Sequence, residues 1–232
     1  LYSGFITLQS RGITSDSDFY KVQTYSSGYI KMNMNSLNSG VTSIALLTNS
    51  GNILISKNIS TPADSISLYC LSGNYFFRII GNSNMNANLN NYKFTLSFSP
   101  VLSLNITAGI EGMRSDSLQV QDTMKIYLTN SSAPYNNLDS STVYLNSSGN
   151  AYADFVNASG GNYYLRITHR NALETWSKSG GESYTLGSSF SYDFTTDSAK
   201  AYQNNMKKTG TKWAFYEGDV NQDGSVDVSD VI

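Results

Sequence analysis

Apolar and polar residues alternate with a period of two along much of the chain. Ile30-Lys-Met-Asn-Met34, Tyr92-Lys-Phe-Thr-Leu-Ser-Phe98 and Leu102-Ser-Leu-Asn-Ile-Thr-Ala108 each present one apolar and one polar face. That is the signature of half-buried antiparallel strands. Turn signals recur between such runs, at Ser27-Gly28, Asn38-Ser-Gly40, Asn49-Ser-Gly-Asn52, Ser72-Gly-Asn74, Ser147-Ser-Gly-Asn150 and Ser159-Gly-Gly-Asn162. Their spacing predicts the hairpins of a sandwich or barrel. A single segment predicts helix, 197–208: Asp197 can cap it, Ala199, Tyr202 and Met206 share a helical face, lysines fill the last turn and Gly210 stops it.

Two stretches echo each other, Gly73-Asn-Tyr-Phe-Phe-Arg-Ile79 and Gly161-Asn-Tyr-Tyr-Leu-Arg-Ile167, each after a serine-glycine turn. The echo predicts one device used twice: a strand entered through glycine with a tyrosine pointing inward. The expected fold is therefore all-β, with two tandem antiparallel β-sandwiches of jelly-roll or immunoglobulin-like type. The expected domains are 1–99, 100–217 with the short helix near its end, and a tail at 218–232. The boundary is placed at Ser99-Pro100, where proline separates two alternating strands.

Composition narrows the setting. Charged residues make up 14% of the 232 residues and the net charge is −2, so the chain has no electrostatic footprint for nucleic acid or an anionic membrane. No apolar run is long enough to span a bilayer as a helix. The sequence begins at Leu1 without a methionine or signal peptide of its own, so a mature chain or a fragment is expected. The one cysteine, Cys70, reads as a small buried apolar residue, so disulfides are not expected to hold the fold. An extracellular or cell-surface location is expected.

The densest chemistry lies at the C-terminus. Asp219, Asn221, Asp223, Ser225, Asp227 and Asp230 stand at positions 1, 3, 5, 7, 9 and 12 of an EF-hand-like loop, with Gly224 at position 6 where the chain must turn sharply. Ser225 would offer its backbone carbonyl and Asp227 would act directly or through water. The expected ion is Ca2+; the alternative is an Asp- and Asn-rich surface loop without an ion. Position 12 is Asp and not Glu, so the backbone must approach more closely there. The loop resembles the first half of a type I dockerin. Dockerins pair two such repeats, with cohesin-facing residues at positions matching Val228 and Ser229, so cohesin is not an expected partner of this half-motif.

The first hundred residues carry a second resemblance. Asp16-Ser-Asp-Phe-Tyr-Lys-Val22, Gly28-Tyr-Ile-Lys-Met-Asn-Met34, Ile44-Ala-Leu-Leu47, Gly73-Asn-Tyr-Phe-Phe-Arg-Ile79 and Tyr92-Lys-Phe-Thr-Leu96, in that order, resemble the bacterial pre-peptidase C-terminal domain. The resemblance implies a small jelly-roll-like sandwich appended to secreted proteins, with no protease activity of its own. Residues 101–217 look like a β-sandwich module that precedes dockerin-like tails.

Catalysis has few resources here. With one histidine, His169, and one cysteine, the chain cannot build a His/Cys zinc site or a haem attachment motif. No Gly-x-Ser-x-Gly elbow supplies a nucleophile for His169 to serve. Carboxylates that could pair for glycoside hydrolysis are Asp16, Asp18, Glu111, Asp154, Glu174 and Glu182, which read as solvated surface. The chain is therefore expected not to be an enzyme. Carbohydrate is a candidate ligand, because 17 tyrosines and 2 tryptophans supply aromatic platforms, notably Tyr135, Trp176, Tyr184 and Trp213. The competing reading places Tyr75, Tyr163 and Tyr164 in core-type strands and uses both tryptophans to close the second sandwich.

Ser65, Ser117, Thr123 and Ser198 follow aspartate and precede an aliphatic residue, the Asp-Ser/Thr-aliphatic pattern of O-glycosylation in exported bacterial proteins. Asn58, Asn105, Asn130, Asn146 and Asn157 head Asn-x-Ser/Thr triplets. The functional expectation is a structural or adhesive region of an exported surface protein, a subunit of a filament or sheath with self-association through sheet edges and a calcium-stabilised tail. The alternative is an accessory carbohydrate-binding or targeting C-terminal region of a secreted hydrolase.

Overall fold

A computed structural model describes residues 2–6, 17–37, 41–81, 90–115 and 118–231. The chain divides into two units, Leu1–Pro100 and Val101–Ile232. The first unit contains β1 (Tyr2–Ile6), β2 (Ser17–Thr24), β3 (Gly28–Leu37), β4 (Val41–Thr48), β5 (Ile53–Asn58), β6 (Ser65–Cys70), β7 (Gly73–Gly81) and β8 (Asn90–Pro100). These form two four-stranded antiparallel sheets, ordered β1-β8-β3-β6 and β2-β7-β4-β5. Period two is visible in β3, where Ile30, Met32 and Met34 are buried while Tyr29 and Lys31 are exposed. Side chains from both sheets meet in one core, with Ile30, Met32, Ile66, Tyr92 and Phe94 from one and Ile44, Leu46, Phe77 and Ile79 from the other. Removing that apolar surface from water, at about 25 cal/mol per Å², is the main force closing the sandwich. Cys70 lies buried in the same core, and burial pushes its thiol pKa up.

The turns behave differently from the hairpins expected of them. Among the described residues of the first unit only β4 and β5 are joined as a hairpin, through Asn49–Asn52; the successive strands β2 and β3, β5 and β6, and β6 and β7 lie in different sheets. Tight turns therefore mostly carry the chain across the core, which is how a sandwich differs from a meander. The Asn38-Ser-Gly40 turn lies outside the described residues.

The second unit contains β9 (Leu102–Thr107), β10 (Arg114–Ser115), β11 (Leu118–Gln119), β12 (Asp122–Asn130), β13 (Asn137–Leu145), β14 (Asn150–Phe155), β15 (Gly161–His169), β16 (Ala172–Trp176), β17 (Glu182–Tyr184), β18 (Ser189–Asp193), β19 (Lys207–Thr209) and β20 (Lys212–Ala214). A five-stranded sheet ordered β13-β12-β15-β16, with β17 also on β15, accompanies a three-stranded sheet ordered β14-β9-β18. Leu102, Leu104 and Ile106 of β9, Met124, Ile126 and Leu128 of β12 and Leu165 and Ile167 of β15 share one core with Phe155, Phe194 and Phe215. One departure from an all-antiparallel sandwich is the parallel pairing of β18 with β9.

The helix expected at 197–208 does not form. Three separate 3-10 turns stand at Phe194–Thr196, Ser198–Lys200 and Tyr202–Asn204, and β19 begins at Lys207. Asp193 and Asp197 do cap, accepting the amides of Thr195 and Ala199, but each capped turn ends after one repeat. Ala201 is extended (φ −101°, ψ 150°) and bridges to Ser177, and Gln203 turns left-handed at φ 53°. Burying Ala201 and Met206 in the core while exposing Tyr202 outweighed a helical propensity worth only tenths of a kcal/mol per residue.

The two echoing segments are β7 and β15, each internal to its sheet. In β15 the alternation sends Tyr163, Leu165 and Ile167 to the core and turns Tyr164 and Arg166 to the opposite face.

Candidate functional site

Two places in the second unit gather functional chemistry, the carboxylate-rich tail and an aromatic cleft. The tail is anchored where Gly218 N–H donates to the Asn171 carbonyl at 3.1 Å and Glu217 bridges to Ala172. Gln222 Nε2 donates to the Ala172 carbonyl at 3.4 Å. Asp219 is only 1% exposed. Its Oδ1 accepts the Asp223 amide at 3.1 Å and its Oδ2 the Gly224 amide at 3.2 Å. Asn221 Oδ1 accepts from Asp223, Asp223 Oδ1 from Ser225 and Asp227 Oδ1 from Ser229. Asp230 closes the loop, with Oδ1 accepting the amides of Val220 and Asn221 and Oδ2 that of Asp227. Gly224 takes φ +88°, with open space where a side chain would stand.

Amide donation holds the carboxyls of Asp227 and Asp230 below the usual carboxylate range: the Ser229 amide does so for Asp227, and the Asp227 amide for Asp230. The loop thus keeps negative charge at neutral pH. Its donors are all hard oxygens, the type Ca2+ requires, and each carboxylate has about four lone-pair sites, of which amides and hydroxyls of the loop use two or three. The residues fit a calcium ion in chemistry. They have not converged on one point: among the described residues no three His, Cys, Asp or Glu side chains form a metal-holding group. Asp219, Asn221, Asp223, Ser225, Asp227 and Asp230 are tied together through the backbone amides of their loop.

The aromatic cleft lies on the outer face of β15. Tyr135, Tyr164, Trp176 and Tyr202 line a volume of about 320 Å³. Tyr164 is only 7% exposed, covered by its neighbours in the cleft. Its ring centroid is 5.5 Å from that of Trp176, 6.2 Å from Tyr202 and 6.3 Å from Tyr135, all edge-to-face. Tyr135 and Tyr202 are 50% and 43% exposed. A second depression of about 360 Å³ adjoins, lined by Glu174, Trp176, Tyr202, Gln203, Asn204, Asn205 and Tyr216. Trp176 Nε1 donates to Glu174 Oε1 at 2.6 Å, and Arg166 Nη1 meets Glu174 Oε2 at 2.8 Å. Arg166 itself stacks over the Tyr127 ring at 4.0 Å.

Of the aromatic residues singled out in the sequence, Tyr135 and Trp176 come together here. Tyr184 is buried in the core against Tyr163 and Phe190, and Trp213 packs partly buried on that core. Tyr164, expected in the core with Tyr163, lines the cleft instead, and Tyr202, expected on a helix face, joins it. Adjacent Tyr163 and Tyr164 in a period-two strand must face opposite ways, a signal that could have found the first; Tyr202 was hidden by the helix expected around it.

His169 is 4% exposed. Its Nδ1 accepts the Asn171 amide at 3.2 Å, and its buried Nε2 lies 3.3 Å from Asp122 Oδ2 without hydrogen-bond geometry. The other scattered acids have separate partners: Asp18 accepts from Tyr92, Glu111 faces Lys207, Asp154 accepts from Ser103 and Glu182 faces Lys178. Asp16 lies outside the described residues. Among the candidate glycosylation residues Thr123 is exposed, Ser65 and Ser198 are half-buried, and Ser117 lies outside the described residues.

No protein-family profile matches the chain, and no curated protein does. Among solved structures the chain is similar to a Bifidobacterium dentium beta-glucuronidase complexed with coumarin-3-O-glucuronide, at 9% identity and a TM-score of 0.21. The match covers 75% of this chain and 38% of that one. A likeness that distant carries no argument about fold or activity.

Proposed function

We propose that this chain is a structural, adhesive region of an exported surface protein, in which two β-sandwiches present sheet edges to neighbouring subunits and Ca2+ stiffens the C-terminal tail. The observation that carries the reading is the tail loop, in which the amides of Asp223 and Gly224 already donate to the Asp219 carboxylate and Gln222 pins the loop to the strand Ala172–Trp176. Asp219, Asn221, Asp223, Asp227 and Asp230 would hold the ion with the Ser225 carbonyl. The ion would offset the mutual repulsion of four carboxylates in a short loop.

Edge strands support the assembly part. The strand Ile53–Asn58 ends the order β2-β7-β4-β5 and exposes Ile53 and Leu54. An unpaired edge of that kind accepts a strand from another chain through backbone hydrogen bonds alone. The low charge content suits a chain that meets copies of itself.

Electron microscopy of the purified chain, with calcium and after chelation, run beside limited proteolysis, tests the reading. Ordered polymers that fray on chelation are expected, with cleavage within 219–230 appearing at the same time. Asp219→Ala and Asp223→Ala should give that tail cleavage even in calcium while the β-sheet circular dichroism persists. Monodisperse monomers in both conditions, with a tail equally resistant in both, would overturn it.

A further inference from the structure

The aromatic cleft and the amide-lined depression beside it share Trp176 and Tyr202, and we propose that together they form a binding site for a neutral saccharide. A pyranose ring would lie against the Tyr135, Trp176 and Tyr202 side while its hydroxyls reach Gln203, Asn204 and Asn205. This goes beyond the scaffold reading and does not depend on calcium in the tail.

Saccharides have a divided surface that matches the divided site. The C–H face of a pyranose is apolar and slightly positive, which suits the negative face of an aromatic ring. Its rim of hydroxyls needs donors and acceptors together, which amide side chains supply. A purely apolar ligand would match the first depression and leave the polar groups of the second facing hydrocarbon, a costly arrangement. A quaternary ammonium ligand would match an aromatic cage, but it also wants uncompensated negative charge. Glu174, the carboxylate among the described lining residues, is already neutralised by Arg166 at 2.8 Å and accepts the Trp176 N–H. The site is therefore electrically neutral, polar on one side and aromatic on the other. Its volume of about 320 Å³ on the aromatic side falls at the small end of ligand pockets, ~300–1,000 Å³.

Backbone conformation points to the same place. Among the described residues the non-glycine positive-φ positions are Tyr135 (φ 58°), Gln203 (φ 53°), Asn204 (φ 58°) and Gln222 (φ 60°). The first three border the two depressions. Left-handed backbone at tyrosine and glutamine is unfavourable and persists where the surrounding structure enforces it, as it does at ligand clamps. The aromatic floor is also held in advance of any ligand. Gly180 N–H donates to Tyr164 Oη at 3.0 Å, and Trp176 is fixed at its indole nitrogen by Glu174. A site ordered beforehand loses little conformational entropy on binding.

Titration of the full chain with soluble neutral oligosaccharides of the β-glucan, xylan, mannan and chitin series, followed by calorimetry and tryptophan fluorescence, tests the proposal. At least one series should bind, and Trp176→Ala should weaken it roughly tenfold or more. Tyr202 is half-exposed on a short turn, so Tyr202→Ala keeps the test valid if Trp176→Ala fails to fold, and the same loss is expected. Trp213→Phe should leave the affinity unchanged. The proposal is overturned by no binding of any series to about 10 mM, by equal affinity in the parent and both alanine variants, or by tetramethylammonium binding where the sugars do not.

Discussion

The phenol of Tyr163 donates a hydrogen bond to the carbonyl of Ser159, four residues earlier, at 2.9 Å. Tyr75 repeats the contact in the first unit, donating to Leu71 at 2.9 Å. The echo of Gly-Asn-Tyr in the two strands is thus an echo of function: each tyrosine ties its strand to the turn that feeds it. Tyr163 lies in the core, so Tyr163→Phe keeps the ring and strands the carbonyl, and should cost about 1 kcal/mol. Tyr75→Phe should cost less, because water can replace the phenol at its exposed bond. Urea midpoints at unchanged m-value measure both.

Gly51 and Gly149 occupy the same turn in the two units and differ in what surrounds them. Gly51 N–H donates to Thr48 O at 3.0 Å while Thr48 N–H donates to Asn52 O at 2.9 Å; Gly149 and Asn146 make the matching bonds at 2.8 and 3.0 Å. Both glycines are left-handed, at φ +87° and +78°. A Cβ on Gly51 would meet nothing within 4 Å, whereas one on Gly149 would lie 2.5 Å from the Ala108 carbonyl oxygen. Gly51→Ala should therefore cost only the left-handed strain, about 1–2 kcal/mol. Gly149→Ala should add a steric displacement, reaching about 2–4 kcal/mol. The difference between their denaturation midpoints isolates the clash.

The legible and illegible parts of the fold follow from how local each signal is. Alternation placed Ile30, Met32 and Met34, or Leu102, Leu104 and Ile106, on core faces because period two is written in neighbouring residues. Which sheet a strand joins is not local: Asn49–Asn52 makes a hairpin and Asn146–Asn150 makes the same turn, yet the strands it joins enter different sheets. The parallel pairing of Ser189–Asp193 with Leu102–Thr107 sets Ser189 beside Ser103 and Asp193 beside Thr107, with Asn105 Nδ2 donating to Ser189 Oγ across 84 residues of sequence, and has no sequence signature. At 197–208 alanine, lysine and glutamine favoured helix locally while burial of Ala201 and Met206 demanded otherwise. The regular spacing of the tail's oxygen-bearing side chains was plain in the sequence. The aromatic cleft was half plain, since Tyr135 and Trp176 stood out as platforms but Tyr164 and Tyr202 reach them only through the fold.

His169 gives the second unit a pH dependence with a defined sign. Burial, the largest influence, depresses its pKa, and the nearby Arg170 adds to this while Asp122 opposes it. The unfolded chain therefore takes up a proton near the ordinary value of about 6.5, where the folded chain does not. Stability is fully present above that pH and falls as the pH drops below it. His169 is the one histidine in the chain, so no other histidine obscures the window between about pH 7 and 5. Asp122, itself held below the usual carboxylate range, loses its contribution only further into acid. Thermal melts across that window should show a falling midpoint in the parent. In His169→Gln the slope should flatten even if the midpoint at pH 7 drops. An identical slope in the variant would remove His169 as the cause and leave the carboxylates as the source of acid sensitivity.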